Sequence, residues 1–191
     1  MYKALKEQLN AIVPISEKEW DIIRNKFVFR QVPKKFVLVK TDDIADEVYF
    51  VNKGLLRLYY EKDGEEITAF IYSEKLFASS YDSFLSKTKS NQCIDALEDC
   101  DLLVLSYQGM QELYSEVPKF NVIARIVSEQ RFINAQRILS SFILDSPEER
   151  YLKFTKQFPN LIQRVPQHII ASYLGVTPVS LSRIRKRIFE K

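Results

Sequence analysis

The chain has 191 residues, of which 46% are hydrophobic and 13% aromatic, which is enough apolar material for one large folded domain or two small ones. No apolar run approaches the roughly 18 to 20 residues that a helix needs to cross a bilayer, and the first ten residues lack the apolar core of a signal peptide. We therefore expect a globular, cytoplasmic protein without a membrane partner.

Side chains suited to metal binding or catalysis are scarce. Cys93, Cys100 and His168 are the only cysteines and the only histidine, too few for a zinc or iron–sulfur cluster. We expect two reduced thiols, no metal cofactor, and a structural or phosphate-facing role for His168. There is also no Ser/His/Asp-like set and no phosphate-binding glycine loop, so we do not expect an enzyme.

The net charge of +3 is unevenly distributed along the chain. Residues 161–191 carry six basic side chains and one acidic one, a net +5, so that residues 1–160 carry a net −2. A basic end on a mildly acidic body suits contact with a polyanion at that end, either DNA or an anionic membrane surface. The residue pattern within this end has to decide between them.

The first 105 residues divide into a helical and a β-rich part. Apolar residues recur at helical spacing over 5–23, with Ser16 and Glu19 in capping-box positions. Short β-rich runs follow at 27–32, 36–39, 47–51, 55–60, 65–71 and 102–105. Gly54 and Gly64 stand where tight hairpins need positive φ, so we expect antiparallel strands in a sandwich or barrel.

Helical patterns return after residue 106. A short helix is expected over 107–115, and a long one over 119–144 that contains neither Gly nor Pro. Its apolar stripe either covers the barrel or pairs with the same helix of a second copy, although Gln130, Asn134 and Arg137 interrupt such a seam. We favour dimerisation. The run Asp145-Ser146-Pro147-Glu148-Glu149 then predicts the start of another helix and a boundary between domains.

Residues 167–188 have the pattern of two helices that cross through a tight turn. Ala171 is small enough for close helix approach, Gly175 suits a left-handed turn, and Thr177-Pro178 supplies a cap and a first turn. The wedge between the helices is expected to be filled by Ile170, Leu174, Val176, Leu181 and Ile184. These features together predict a helix-turn-helix. A basic helix that is merely solvated would not require the small residue, the glycine turn and the wedge positions together.

The second helix of this motif is predicted to read DNA with its outer face. At about 100° per residue, Leu181, Ile184 and Ile188 fall on the buried side. The opposite side carries Val179, Ser182, Arg183 and Lys186, with Arg187 beside them. Arginine can donate two hydrogen bonds to guanine, so Arg183 is the expected base reader. Contacts to DNA phosphates are expected from Thr177, Ser180, Lys186 and Arg187.

The order of these elements resembles the Crp/Fnr family of transcription regulators over nearly the whole chain. The features that carry the resemblance are the glycine-punctuated β-roll, the long helix, the hinge at Asp145 and the terminal motif with Leu181-Ser182-Arg183-Ile184-Arg185. The segments at 148–151, 164–166 and 171–175 are similar to those of short family members from Bacteroidetes-type bacteria.

The resemblance implies an α+β fold in three parts. Residues 1–117 would form an antiparallel, jelly-roll-like sensor of the cyclic-nucleotide-binding type, 118–145 a dimerisation helix and hinge, and 146–191 the helix-turn-helix domain. It further implies a homodimer that binds a palindromic operator in double-stranded DNA, with RNA polymerase as a further partner.

The resemblance also locates an effector pocket, formed by Phe77, Ala78, Ser79, Asn91, Gln92 and Asn134. In cyclic-nucleotide-binding members, a Gly-Glu pair and an Arg-Ser or Arg-Thr pair hold the ribose and phosphate. The matching positions here are Ala78-Ser79 and Asn91-Gln92, so the phosphate-binding arginine is missing. We therefore expect an unidentified small-molecule effector, if any, rather than cAMP. Asn134 would face either this pocket or, as we prefer, the dimer seam.

The sequence leaves a competing function open. The chain could be a ligand-binding sensor or protein-interaction module whose basic carboxy-terminal end does not read DNA.

Overall fold

Residues 1–189 are described in the computed structural model of the chain. Two helices come first, a run of short strands interrupted by one helix follows, and the rest is helical. The strands are β1 (Phe27–Val32), β2 (Val37–Val39), β3 (Glu47–Lys53), β4 (Leu56–Lys62), β5 (Glu65–Tyr72), β6 (Phe77–Ala78), β7 (Cys93–Ala96) and β8 (Cys100–Ser106). The helices are α1 (Lys3–Ile12), α2 (Glu17–Lys26), α3 (Tyr81–Ser86), α4 (Tyr107–Glu116), α5 (Pro118–Leu144), α6 (Pro147–Gln157), α7 (Leu161–Arg164), α8 (Gln167–Tyr173) and α9 (Pro178–Phe189).

The strands form two four-stranded antiparallel sheets, in the orders β1-β8-β3-β6 and β2-β7-β4-β5. The predicted antiparallel roll is thereby confirmed. Strands β6 and β7 were not predicted, because β6 has two residues and β7 includes the charged Asp95. Strand β5 lies at the edge of its sheet and contains a β-bulge opposite Leu58 and Tyr59.

The helical lead-in consists of two helices, α1 and α2. Pro14 follows the end of α1, and Ser16 starts α2 with the predicted capping box. The Ser16 hydroxyl accepts a hydrogen bond from the Glu19 amide at 3.3 Å, and the Glu19 carboxylate accepts one from the Ser16 amide at 2.8 Å. Both helices pack on the roll through buried side chains such as Leu9 and Ile23.

The long helix α5 is buried only at its beginning. Phe120 and Ile123 belong to the core of the roll, whereas farther along Phe132 is 66% exposed and Ile143 and Leu144 also face solvent. At the end of α5, Asp145 is the C-cap and Ser146 opens α6 with a second capping box to Glu149. The link between α5 and α6 is therefore two residues long, and an apolar stripe of α5 is left uncovered in the single chain.

The helical carboxy-terminal part has its own apolar core, which includes two side chains of the roll. Leu55 and Leu97 are buried together with residues of α6, α8 and α9. No helix within residues 1–189 is long and apolar enough to cross a membrane. The same residues contain no group of three His, Cys, Asp or Glu side chains placed to hold a metal ion.

Candidate nucleic-acid interface

Helices α8 and α9 are joined by a turn whose shape depends on Gly175. This residue has φ +66°, a conformation that side chains other than glycine's disfavour. A Cβ atom at Gly175 would also lie 2.6 Å from Cε1 of Phe142, near the end of α5. Glycine is thus required both for the backbone conformation and for the approach of the long helix, and the predicted left-handed turn is confirmed.

The predicted wedge fills the space between α8 and α9. Ala171 has no exposed surface, and four of the five predicted wedge side chains are buried, Val176 being half-buried. Beneath them the Phe154 ring packs against the rings of Phe158 and Tyr173 at centroid distances of 5.6 and 5.4 Å. The motif is therefore held by a continuous apolar core, which fixes the face that α9 turns outward.

The start of α9 is capped by Thr177 as the sequence predicts. Its hydroxyl accepts a hydrogen bond from the Ser180 amide at 3.1 Å and donates one to the Ser180 hydroxyl at 3.0 Å. Thr177 and Ser180, two of the four residues expected to contact phosphates, therefore also stabilise the first turn of the helix. Pro178 fits there because its missing N–H needs no partner in a first turn.

The outward face of α9 has the composition that the helical wheel predicts. Val179 is 61% exposed, and Ser182, Arg183, Lys186 and Arg187 are exposed as well. Within residues 1–189, the Arg183 guanidinium has neither an ion pair nor a hydrogen bond. Arg183 therefore points a charged, bidentate donor into solvent.

Other basic side chains of this end have partners within the chain. Arg187 lies 3.8 Å from the Glu148 carboxylate, and half-buried Arg185 donates to Oε1 of Gln167 at 2.7 Å. Arg164, which the charge count places in the basic end, faces the roll and donates to Glu74 and Glu98 at 2.7–3.0 Å. The count of basic residues therefore overstates the charge available to a polyanion. His168 is exposed on α8.

The residues expected at the effector pocket are only partly brought together. Phe77, Ala78 and Ser79 follow one another at β6, and the Ser79 hydroxyl donates to the Glu47 carbonyl at 3.0 Å. Gln92 accepts from the Ser80 hydroxyl at 2.9 Å and donates to the Tyr60 hydroxyl at 2.7 Å. These polar groups are already satisfied by neighbours in the roll.

The other two pocket residues are exposed. Asn91 is exposed before β7, and Asn134 is exposed on α5, where it accepts from Nε2 of Gln130 at 3.0 Å. Asn134 stands two helical turns after Val127, on the side of α5 that packs against the roll. Both assignments of Asn134, to a pocket or to a dimer seam, stay predictions.

Sequence reasoning missed Arg131, which ties α5 to the roll beside this cluster. Its guanidinium donates to the carbonyls of Phe77 and Ser79 at 3.0 and 3.2 Å and to the Tyr72 hydroxyl at 3.4 Å. It also lies over the Tyr81 ring, 4.6 Å from the centroid. A charged residue in a long helix ordinarily indicates a solvated face, so the sequence contained no signal for this contact.

Comparison with known proteins supports the same architecture. Residues 29–117 match the family model of the cyclic nucleotide-binding domain. No curated protein matches the chain. Among solved structures, the c-di-GMP-responsive global regulator CLP of Xanthomonas campestris has a TM-score of 0.73 and 16% identity, and the match covers 92% of both chains.

Two further structures extend the comparison. FixK2 of Bradyrhizobium japonicum has a TM-score of 0.76 at 14% identity, covering 86% of this chain and 85% of its own. A structure from Eubacterium rectale, assigned to transcriptional regulators of the Crp/Fnr family, has a TM-score of 0.68 at 16% identity, covering 91% and 83%. Residues 29–117 are therefore similar to a cyclic nucleotide-binding domain, and the chain has the fold of these Crp/Fnr-type regulators, in agreement with the resemblance found in the sequence.

Proposed function

We propose that the chain is a homodimeric, sequence-specific DNA-binding transcription regulator that uses α9 as its reading helix. The observation that carries this proposal is the outward face of α9, where Arg183 is exposed and without a partner in residues 1–189 while the opposite face is locked into a buried core. A major groove accepts a helix of this kind, and a guanidinium matches two acceptors of guanine.

The side chains around Arg183 take complementary roles in the proposed complex. Val179 and Ser182 lie on the same face as Arg183 and meet base edges, whereas Thr177, Ser180, Lys186 and Arg187 contact phosphates. Phosphate contacts provide affinity for any duplex, and base contacts provide the preference for an operator.

The uncovered stripe of α5 supports the proposed homodimer. Phe132, Ile143 and Leu144 are large apolar side chains that a single chain leaves in water, and a second copy of α5 would bury them. Two reading helices related by a two-fold axis require a palindromic operator. RNA polymerase is the proposed further partner of the bound dimer.

We assign sensing to residues 1–117, dimerisation and hinge to 118–145, and DNA binding to 146–191. The effector is an unidentified small molecule, if one exists. A cyclic nucleotide is disfavoured because Asn91-Gln92 supplies no cation for the phosphate.

A titration of labelled random-sequence duplex at two salt concentrations tests DNA binding. If the two cations of each subunit that contact phosphates, Lys186 and Arg187, neutralise about four phosphates in the dimer, affinity falls about 100-fold between about 50 and about 200 mM salt. Genomic fragments selected by the protein would then supply the operator. Absence of salt-dependent binding at micromolar protein would contradict the proposal and favour a sensor or protein-interaction module.

A further inference from the structure

The helix-turn-helix is docked on the roll through the edge of strand β5. The Ser172 hydroxyl in α8 accepts a hydrogen bond from the Thr68 amide at 2.8 Å and donates one to the Glu66 carbonyl at 3.0 Å. Both backbone groups belong to an edge strand, which leaves such groups without a partner in its own sheet. A single serine thereby joins the DNA-binding part to the sheet as a neighbouring strand would.

A second contact lies at the end of α7, where Arg164 joins two acids of the roll. Its guanidinium donates to both Glu74 oxygens at 2.7 and 3.0 Å and to both Glu98 oxygens at the same distances. The pKa of Glu74 is lowered chiefly by this hydrogen bonding. The Arg164 side chain is 31% exposed, so the contact lies at the rim of the interface.

An apolar contact also joins the roll to the helical carboxy-terminal part. Leu55 has no exposed surface. The preceding residue, Gly54, has φ +96°, and a Cβ atom there would lie 2.6 Å from the Cys100 sulfur, so glycine allows the turn that places Leu55. The Gly54 amide also donates to Glu74 at 3.0 Å. The β3–β4 turn thus provides both an apolar anchor and support for one of the two acids.

The opposite end of the helix-turn-helix is held at the hinge. Arg150 donates to the carbonyls of Asp145 and Leu174 at 2.8 and 3.0 Å, and Phe142 packs on Gly175. One restraint therefore lies beside α5 and the other on the roll. Two separated restraints define the orientation of a rigid unit, whereas the two-residue hinge alone would permit rotation.

We propose that Arg164 is a positioning residue for DNA reading, which, with Glu74, Glu98 and Ser172, fixes the orientation of α9 relative to the dimerisation helix. The proposal rests on the proposed function, because its consequence is the distance between the two reading helices of a dimer. We call these four residues and their contacts the latch. When the latch is closed, one half-site spacing is preferred. With the latch open, α9 still reads a half-site, but the pair of helices samples several spacings.

The latch is tested first without DNA, by amide hydrogen exchange. The substitutions Arg164→Met and Ser172→Ala should accelerate exchange at the Thr68 amide about tenfold or more, because its acceptor leaves or disappears. The Leu102 amide in the central strand β8 reports global opening and should not change. Arg24→Met removes an exposed arginine on α2 that is 3.6 Å from Asp21 and serves as the matched control.

The second measurement uses operators whose half-site spacing is varied by one and two base pairs. Arg164→Met should bind a single half-site within about twofold of the unaltered chain, lose about tenfold on the preferred operator, and respond less to spacing. The double variant Glu74→Gln with Glu98→Gln should reproduce these changes, and adding Arg164→Met to it should change little further.

The outcomes separate the two proposals. Unaltered spacing preference and unaltered Thr68 exchange in Arg164→Met overturn the positioning role while leaving DNA reading intact. If the unaltered chain binds no DNA, the proposed function fails and the inference about reading fails with it, whereas the exchange experiment still decides whether the latch exists. Equal loss on half-sites and operators, together with faster Leu102 exchange, shows a merely structural role and also overturns the inference.

Discussion

The outer face of α9 differs from the polar cluster around Arg131 and Gln92 in the roll. The difference is whether the main hydrogen-bonding group already has partners within the chain. On α9, Arg183 is exposed and, within residues 1–189, bonds to nothing in its own chain. In the roll, Arg131 is engaged with two carbonyls and a phenol, and Gln92 bridges Ser80 and Tyr60. The first surface is ready for a ligand, while the second is filled by its own side chains.

This difference bears on how the two ends would work. In the proposed complex, DNA would meet Arg183 without displacing an existing contact, which would favour rapid association. A small molecule that entered beside Gln92 would have to replace hydrogen bonds already made, and buried polar groups left without partners cost about 1–3 kcal/mol each. Effector binding in the roll therefore requires either a ligand that restores those bonds or a shift of α5 that carries Arg131 away.

The largest expected effect comes from removing the Arg183 guanidinium. Arg183→Ala should abolish the preference for the operator over random DNA, a loss of about 1–3 kcal/mol in discrimination, because the bidentate contact to guanine disappears. Competition binding with operator and random duplexes measures this difference. Lys186→Ala is the control, since loss of a phosphate contact weakens both complexes alike. Equal behaviour of the two variants would show that the assignment of roles is wrong.

An intermediate effect is expected in the roll. Arg131→Met keeps much of the side-chain length but leaves the carbonyls of Phe77 and Ser79 without their donor, so the free energy of unfolding should fall by about 1–2 kcal/mol. Urea denaturation at a fixed protein concentration measures the change. Arg137→Met, in an exposed part of the same helix, should stay within about 0.5 kcal/mol. Equal stability of both variants would refute a closed polar interior.

The smallest expected effect concerns pH at the latch. The pKa of Glu74 is lowered from 4.5, chiefly by the hydrogen bond from Arg164, so ionised Glu74 stabilises the folded chain. This contribution is present above pH 4.5 and is lost as the pH falls through the lowered pKa. The stability difference between the unaltered chain and Glu74→Gln, at most about 1 kcal/mol at pH 7, should therefore shrink in acid. Denaturation curves at several pH values test this, and a constant difference would contradict it.

Local signals in the sequence predicted most of the fold. The Ser16 capping box, the Gly54 and Gly64 turns and the period of the apolar residues each describe interactions within a few positions. Strand β7 was not predicted, because a charged residue such as Asp95 suggests a loop. In the structure the Asp95 carboxylate accepts hydrogen bonds from buried Arg57 at 2.7 and 2.9 Å across the sheet. A charge paired with a distant residue looks the same in sequence as a solvated one.

The candidate site likewise has parts that the sequence could predict and a part that it could not. The turn at Gly175, the buried wedge and the outward face of α9 follow from spacing within one motif, and the sequence predicted them. The role of Arg164 could not be predicted, because Glu74 and Glu98 are 90 and 66 positions away. Arg164 therefore contributes to the formal charge of residues 161–191 but not to the charge available to a polyanion. Only the fold shows which cations are already neutralised.

The serine that joins α8 to strand β5 also affects solubility. Exposed sheet edges recruit other chains, and proteins ordinarily block them with charges, prolines or permanent cover. Here the residue that covers Thr68 and Glu66 belongs to the helical part that follows the two-residue link between α5 and α6. A change that releases the helix-turn-helix from the roll also exposes the unpaired edge of β5, to which other chains can pair. Selection against aggregation therefore favours the state in which α8 covers this edge, independently of any need to regulate transcription.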